Sequence, residues 1–228
     1  MRPSDWQTVR GMPLFAGLTT GTMDRLAAGA LVQALPRGAM LCVQGEMPEH
    51  LHLILGGRVA LVADERNRDE TVVEFFEAGD VLIAPAVMLD APYLMSARVV
   101  DDSRIMFIGA EAVRHALHSD REFATAMALQ LARYWRRLIG QIKDLKLHSA
   151  TERLAVYLIG LATQQGGAGQ VALPEDRKVV AARLGMTAES LSRAFAGLRD
   201  IGVGGRGRTV TIADLNRLRA YVQRDELN

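Results

Sequence analysis

The feature that most constrains this chain is a long helical repeat of apolar residues near its middle. Apolar side chains recur every three or four residues from Phe123 to Leu145, and such spacing is the period of an α-helix. A helix of this length extends about 38 Å at 1.5 Å per residue, more than one small domain needs. We expect a second copy of the helix to cover the stripe, with packing on the chain's own N-terminal domain as the alternative. The stripe comprises Phe123, Met127, Leu131, Tyr134, Leu138, Ile142 and Leu145.

The part of the chain before this helix has a different pattern, in which glycines separate short apolar stretches rich in Val, Ile and Phe. Short strands with turn signals at such intervals predict an all-β barrel or sandwich. Within "LHLILGGRVALV", the pair Gly56–Gly57 predicts a hairpin between two strands. The predicted strands are Met40–Val43, Leu51–Leu55, Arg58–Val62, Thr71–Phe76 and Arg104–Ile108, with further breaks at Gly38, Gly45, Asp64–Glu70 and Gly79–Asp80.

After the long helix, the pattern is interrupted at 147–151, and we place the domain boundary at His148–Ser149. Either Ser149 or Thr151 is expected to cap the next helix, Glu152–Gln165. Two further helical patterns follow, separated by Gly185–Met186, and this order predicts a helix-turn-helix. Thr187 is the expected N-cap of the second helix. The inner face of the first helix is assigned to Val179 or Val180, Ala181 and Leu184, and that of the second to Leu191, Phe195 and Leu198.

Three polar residues, Glu189, Ser192 and Arg193, fall on the opposite side of the second helix. Their i, i+3, i+4 spacing keeps them within one arc near the start of the helix. Arginine can donate two hydrogen bonds to guanine, glutamate can accept one from cytosine, and serine suits several base edges. The alternative is a plain Glu189–Arg193 salt bridge on a solvated face.

The next segment, Ile201–Ile212, predicts two short strands around "GGRGR", whose tip carries Arg206 and Arg208. A basic hairpin after a helix-turn-helix forms a wing that can contact phosphates, although ordinary surface hairpins also carry arginines. Net charge is only +1, but residues from His148 onward carry 11 Lys/Arg against 8 Asp/Glu, and the rest of the chain carries 16 against 18. The basic residues are thus enriched where nucleic-acid contacts are predicted.

In this order of elements the chain resembles the family of the catabolite activator protein and the fumarate–nitrate reduction regulator, the Crp/Fnr transcription regulators. The resemblance rests on "LHLILGGRVAL" with Gly57-Arg58-Val59, on "EAGDVL", and on "LGMTAESLSRAFAGLRDIG". It implies an α+β fold: an N-terminal cyclic-nucleotide-binding-like β-barrel (jelly roll), a long dimerisation helix and a C-terminal winged helix-turn-helix. The corresponding domains are 1–120, 121–147 and 148–228.

The resemblance also implies partners. Glu189, Ser192 and Arg193 become base-reading residues for half-sites similar to TTGAT or TTGAC. Thr187, Arg199, Arg206 and Arg208 become candidate contacts to DNA phosphates. The family binds double-stranded DNA as a homodimer, so a palindrome with half-sites about one helical turn apart is expected, with RNA polymerase as a further partner.

The effector region departs from the cyclic-nucleotide members of the family. Ala84 or Pro85 stands where their ribose-binding glutamate is expected, and Met95 precedes Ser96 where their phosphate-binding arginine is expected. Arg98 lies two residues further along, outside the family register. Without a cation to pair with the cyclic phosphate, cyclic AMP is not the expected effector. "MLDAPYLMSA" resembles the denitrification branch that responds to nitric oxide, often through haem, so haem is a candidate cofactor.

The single cysteine and the histidines are the remaining candidates for metal, redox or haem chemistry. A single cysteine, Cys42, excludes a disulfide within the chain and an iron–sulfur cluster, and it is expected to be a buried small hydrophobe rather than a redox sensor. His50 and His52 share one side of a strand but lack the glutamate of a cupin metal site, while His115 and His118 are expected on a helix surface. His148 at the boundary could ligate haem, act as a switch, or do neither.

No nucleophile elbow, phosphate loop or paired-carboxylate motif is present, so we expect no enzyme. No transmembrane or signal segment is evident, which predicts a cytoplasmic protein without membrane association. The alternative to a DNA-binding regulator is a small-molecule-binding or metal-dependent barrel whose C-terminal domain mediates protein contacts.

Overall fold

The computed structural model describes residues 3–63, 71–82, 84–167 and 169–224. The chain divides into two compact units, Met1–Arg136 and Arg137–Asn228. In chain order the N-terminal unit contains α1 (Pro3–Arg10), α2 (Thr20–Ala27), β1 (Leu31–Leu35), β2 (Met40–Cys42), β3 (His50–Ala63), β4 (Thr71–Glu77), β5 (Val81–Leu82), α3 (Ala84–Leu89), β6 (Ser96–Gly109), α4 (Ala110–Ser119) and the first part of α5 (Arg121–Leu147).

Within the described residues of this unit, the strands form one antiparallel sheet in the order β1-β6-β3-β4, with β2 also paired to β6 and β5 to β3. Strands β3 and β6 are 14 residues long each and pair with each other along most of that length. The β-rich N-terminal domain predicted from glycine punctuation is therefore confirmed. The predicted break at Asp64–Glu70 lies outside the described residues.

The predicted hairpin at Gly56–Gly57 is wrong, because both glycines lie inside the continuous strand β3. Pairing between β3 and β6 shifts register between Ile54 and Gly56 and twice more before Val59, which marks a β-bulge. Gly57 has φ +83°, and a Cβ there would lie 2.5 Å from the carbonyl oxygen of Asp102. The glycine is needed for a left-handed backbone and a close strand approach rather than for a chain reversal.

The bulge also changes which side chains of β3 face each side of the sheet. Before it, Leu51 and Leu53 belong to an apolar cluster with helices α1 to α5, whereas Ile54 belongs to a second cluster in the barrel interior. After it, Val59 and Leu61 face the interior, so the alternation has moved by one residue. One extra residue in a strand has this effect because the side-chain period is two.

Helix α5 begins at Arg121 and ends at Leu147, as the apolar period predicts. The first members of its stripe pack on the chain's own N-terminal unit: Phe123 and Met127 are fully buried, and the ring of Tyr134 lies 5.7 Å from that of Phe76. The alternative of packing on the chain's own barrel therefore holds for this half of the stripe.

Further along α5 the apolar residues are exposed. Trp135, Ile139 and Ile142 are 63%, 43% and 46% exposed, and their spacing of four and three places them on one helix face. Leu145 is 47% exposed, although its side chain also lies against Gly185. The described residues of this chain leave that face of α5 uncovered.

The C-terminal unit is a winged helix built on a separate apolar core, which includes Leu158, Leu191 and Val210. Its described strands form one antiparallel sheet in the order β7-β9-β8. After α5 the elements are α6 (Ala150–Gln164), β7 (Gln170–Ala172), α7 (Arg177–Arg183), α8 (Ala188–Gly197), a 3₁₀ turn (Arg199–Ile201), β8 (Val203–Arg206), β9 (Thr209–Ile212) and α9 (Leu215–Arg224).

Helix caps in this unit follow the sequence signals. Of the two predicted caps for α6, the structure uses Ser149, whose side chain accepts from the Glu152 backbone N–H at 3.2 Å. The Glu152 carboxylate in turn accepts from the Ser149 backbone N–H, which completes a capping box. The helix therefore begins at Ala150, two residues earlier than predicted.

Candidate nucleic-acid interface and barrel interior

Helix α8 is fixed by its cap and by its buried face. Thr187 is the N-cap, as predicted: its hydroxyl accepts from the Ser190 backbone N–H at 3.1 Å. Leu191 and Leu198 are almost fully buried and Phe195 is 7% exposed, as the spacing of four and three predicts. With this stripe held in the core, the direction in which the rest of the helix faces is set.

The side opposite the core carries the three residues singled out in the sequence. Glu189, Ser192 and Arg193 are all exposed. Arg193 Nη2 donates a hydrogen bond to Ser190 Oγ at 3.0 Å, so the guanidinium stays on the helix surface beside the other two side chains. The described contacts contain no ion pair between Arg193 and Glu189, although the charge of Arg193 is close enough to act on the Glu189 carboxyl.

The position of Glu189 favours the ionised form of its carboxyl. The pKa of its carboxyl is lowered first by the hydrogen bond from its own backbone N–H, then by Thr187, and further by the charge of Arg193. These donors are the free N–H groups of the first helical turn and its cap, which favour a negative charge there. The outer face of α8 therefore presents a carboxylate acceptor, a hydroxyl and a guanidinium donor side by side.

The turn before α8 is tight and packs against the end of α5. Gly185 has φ +62°, and the Met186 N–H donates to the Ala181 carbonyl at 3.0 Å. A Cβ at Gly185 would lie 2.5 Å from Leu145 Cδ2. Ala181 is 2% exposed, which agrees with its predicted place on the inner face of α7.

The wing has the predicted form, a hairpin of β8 and β9 whose two-residue loop is Gly207–Arg208. Gly207 has φ +59°, and a left-handed glycine in the first loop position is typical of type II′ hairpins. The side chain of Arg206 is exposed and makes no hydrogen bond to the described residues, so its charge is available at the tip. Arg208 differs: its Nε donates to the Leu173 carbonyl at 3.0 Å and its Nη2 donates to the Pro174 carbonyl.

The two remaining candidate phosphate contacts lie at the ends of α8. The hydroxyl of Thr187 is engaged in the cap, while Arg199 is exposed at the start of the 3₁₀ turn. Exposed cations and free backbone N–H groups at the start of a helix are common phosphate-binding elements.

Two arginines that the sequence analysis did not single out connect these elements. Arg153 of α6 donates from Nη1 to the His148 carbonyl at 2.8 Å and from Nε to the Leu184 carbonyl at 3.0 Å. Arg177 of α7 donates to carbonyls at the wing tip. Their acceptors are backbone groups up to about thirty residues away, so no sequence motif signals these contacts.

At the positions that the resemblance indicates, the barrel interior lacks the ribose-binding glutamate and the phosphate-binding arginine of a cyclic-nucleotide site. Ala84 is buried at the start of α3 and Pro85 is exposed. Met95 packs against the interior cluster. Ser96 Oγ accepts from the Gln44 N–H at 3.0 Å, which occupies it in holding the chain after β2.

Arg98 does not replace the missing cation. Ala97 and Val99 face the interior cluster, so by strand alternation Arg98 lies on the opposite face. The residues at these positions do not fit a cyclic phosphate, which requires a charged donor in the pocket.

Of the five histidines, His52 has the most unusual environment. It is 3% exposed, its ring lies 5.0 Å from Phe107 in an edge-on arrangement, and its Nδ1 has no hydrogen-bond partner among the residues that the structure describes. Burial first, and then the charge of His50, lowers the pKa of His52 to about 4. His115 and His118 are exposed on α4, as expected.

Other candidate chemistry remains sparse. Across the described residues, no three His, Cys, Asp or Glu side chains lie together as a metal site would require. Cys42 is buried, as expected, and desolvation raises the pKa of its thiol to about 12. Among the described helices, none combines the length and the apolar character needed to cross a bilayer.

Comparison with known proteins identifies both units. Residues 32–120 match the cyclic nucleotide-binding domain, and residues 152–221 match the Crp-like helix-turn-helix domain. A chain with these two domains is a DNA-binding transcription regulator. This one belongs to the Crp/Fnr family, whose members are transcription regulators rather than enzymes.

Individual relatives are distant but cover nearly the whole chain. The CRP-like cAMP-activated global transcriptional regulator of Mycobacterium tuberculosis is 24% identical over 210 residues, which are 90% of this chain and 94% of that protein. A candidate cAMP-binding regulatory protein of Silicibacter pomeroyi DSS-3 is 27% identical over 97% of this chain and all of its own, with a TM-score of 0.59. FixK2 of Bradyrhizobium japonicum shares the fold: TM-score 0.65, 22% identity, 84% of this chain and 96% of that chain.

Proposed function

We propose that this regulator binds a palindromic double-stranded DNA site as a homodimer and reads each half-site with Glu189, Ser192 and Arg193 of α8. The observation that carries the proposal is the exposed outer face of α8, where these three polar side chains stand together at the start of a capped helix. In this motif the N-terminal part of the second helix contacts base edges. Half-sites similar to TTGAT or TTGAC, one helical turn apart, are the expected targets.

Replacing Arg193 with alanine tests this assignment. A bidentate arginine–guanine contact accounts for about 1–3 kcal/mol, or roughly 5- to 150-fold in affinity, at each half-site. Because the variant removes the contact from both protomers, affinity for the palindrome should fall on the order of 30- to 20,000-fold, and discrimination should relax at one base pair of each half-site. Fluorescence anisotropy on a set of single-base-pair variants of the duplex measures both effects. Arg219→Ala, which removes an exposed arginine from α9, is the matched control. If Arg193→Ala binds every duplex like the wild type, the assignment of α8 as reading helix is wrong.

The homodimer is supported by the exposed apolar face of α5. Trp135, Ile139 and Ile142 present large apolar side chains to solvent, and a second copy of the same helix would cover them. Sedimentation of the wild type should give a dimer, and Ile139→Glu should give a monomer that binds a palindrome poorly. Val156→Glu, at an exposed valine of α6, is the control. A monomeric wild type that still binds the palindrome would overturn the dimer.

We further propose that the N-terminal barrel, within the division 1–120, 121–147 and 148–228, controls operator affinity by population shift. An effector that prefers one arrangement of barrel and α5 would change the spacing of the two reading helices. RNA polymerase would then be a partner at the promoter.

The effector is proposed to be other than cyclic AMP, since the barrel lacks a cation for the cyclic phosphate at the positions described above. Cyclic AMP should therefore leave operator affinity unchanged, and a shift at micromolar concentration would contradict this. Haem rests on the resemblance alone, and an absorption spectrum of protein produced with haem supplied tests it through the Soret band.

A further inference from the structure

Arg177, the first residue of α7, connects the reading helix to the wing. Its guanidinium carbon lies 4.2 Å from the centroid of the Phe195 ring on the buried side of α8. Its Nε donates to the Gly207 carbonyl at 3.0 Å, and its Nη2 donates to the Gly205 carbonyl at 3.2 Å. A single side chain thus contacts α8 and the backbone on both sides of Arg206.

The wing tip needs such a connection. Strand β8 is at the edge of its sheet, and three of the five residues from Gly204 to Arg208 are glycines. Glycines lose the most backbone freedom on ordering, and a two-stranded hairpin is marginally stable by itself. An arginine that stacks on an aromatic ring and uses its planar fork on two carbonyls fixes direction as well as distance.

The three arginines around the tip have different environments. Arg177 and Arg208 point their donors at backbone carbonyls of the protein itself, the first at the wing and the second at the segment before α7. Arg206, between the two carbonyls that Arg177 holds, is exposed. Arg177 and Arg208 are thus engaged within the protein, and the charge of Arg206 is left for an anionic partner.

We propose that Arg177 is a positioning residue that sets the wing tip at a fixed place relative to α8, so that Arg206 reaches a DNA phosphate while α8 reads bases. The second half of this statement rests on the proposed function. The competing role is a direct contact between Arg177 and a phosphate, and the two roles differ in their effect on the wing of the free protein.

Amide hydrogen exchange of the DNA-free chain tests whether Arg177 holds the wing tip in place. In Arg177→Gln the amides of Arg206 and Thr209, the last pair before the loop, should exchange at least tenfold faster, while amides of α6 should not change. Arg177→Lys should not restore protection, because an ammonium keeps the charge but cannot stack and fork in the same way. Unchanged exchange at the tip in both variants would overturn the proposal.

A double-mutant cycle with Arg206→Gln tests the consequence for binding. In the wild-type background, Arg206→Gln should weaken operator binding several-fold. It should also reduce the magnitude of the slope of log affinity against log salt by about 1.8, which is about 0.9 for each of the two copies in the dimer. In the Arg177→Gln background the same change should have little further effect, because the tip is already displaced. Arg217→Gln, on the exposed side of α9, is the control.

Additive losses, with the salt slope reduced once by each variant, would identify Arg177 as a direct phosphate contact and overturn its positioning role. A wild-type chain that binds no duplex would overturn the proposed function instead, while the exchange measurement would still decide whether Arg177 holds the wing.

Discussion

Gly57→Ala should destabilise the N-terminal unit, while Gly56→Ala, one residue earlier in the same strand, should not. The backbone at Gly57 has φ +83°, where a Cβ costs about 1–2 kcal/mol. A Cβ there would also lie 2.5 Å from the Asp102 carbonyl oxygen and 2.6 Å from Ser103 Cα. These atoms belong to the backbone of β6, so the strand must move, which adds about 1–3 kcal/mol.

The total, about 3 kcal/mol, corresponds to a fall of about 1–2 M in the urea midpoint at a typical slope for a small unit. Both tryptophans of the chain, Trp6 and Trp135, belong to the N-terminal unit, so intrinsic fluorescence reports its unfolding selectively. A Cβ at Gly56 meets nothing within 4 Å, and Gly56→Ala should therefore change stability by less than about 1 kcal/mol. Equal midpoints for the two variants would refute the bulge as the reason for the glycine.

Three further predictions concern single groups. The pKa of His52 is lowered to about 4 in the folded protein but lies near 6.5 in the unfolded chain. The stability that neutral His52 contributes, about 3 kcal/mol, is therefore complete above pH 6.5 and is lost as pH falls towards 4. In fluorescence-monitored urea unfolding, His52→Asn should flatten the fall of unfolding free energy with decreasing pH, and an unaltered slope would contradict this. With a thiol pKa of about 12, Cys42 should resist a disulfide reagent at pH 8 until denaturant is added, so immediate labelling of the native protein would argue against burial. Ser149→Ala removes the capping box of α6 and should cost about 1 kcal/mol in denaturant unfolding of the C-terminal unit, whereas Thr151→Ala, which leaves that box intact, should cost less; the reverse order would show that the wrong cap was assigned.

Local signals in the sequence were sufficient for the elements that present the candidate site. The period of α5, the cap Thr187, the buried stripe of α8 and the hairpin after Ile201 all depend on residues within about ten positions of one another, so pattern and composition can identify them. The orientation of Glu189, Ser192 and Arg193 followed from the same stripe, since fixing the buried side of a helix fixes the exposed side.

Long-range pairing was not accessible in this way. The glycine pair at Gly56–Gly57 has the composition of a hairpin, but its left-handed glycine serves a close approach to β6, more than forty residues later in the chain. Strand β7, which is three residues long, exists through its pairing with β9 and has no pattern of its own. The roles of Arg153 and Arg177 depend on backbone acceptors, and a backbone carbonyl carries no sequence information.

The contacts between the helix-turn-helix and the end of α5 determine where the DNA-binding domain can be joined to another protein. Leu145 lies against Gly185, and Arg153 holds the carbonyls of both His148 and Leu184. A sensor domain from another protein that is fused to this winged helix should therefore be joined before Leu145. A fusion made at the predicted domain boundary, between His148 and Ser149, would remove Leu145, whose side chain packs against the turn at Gly185.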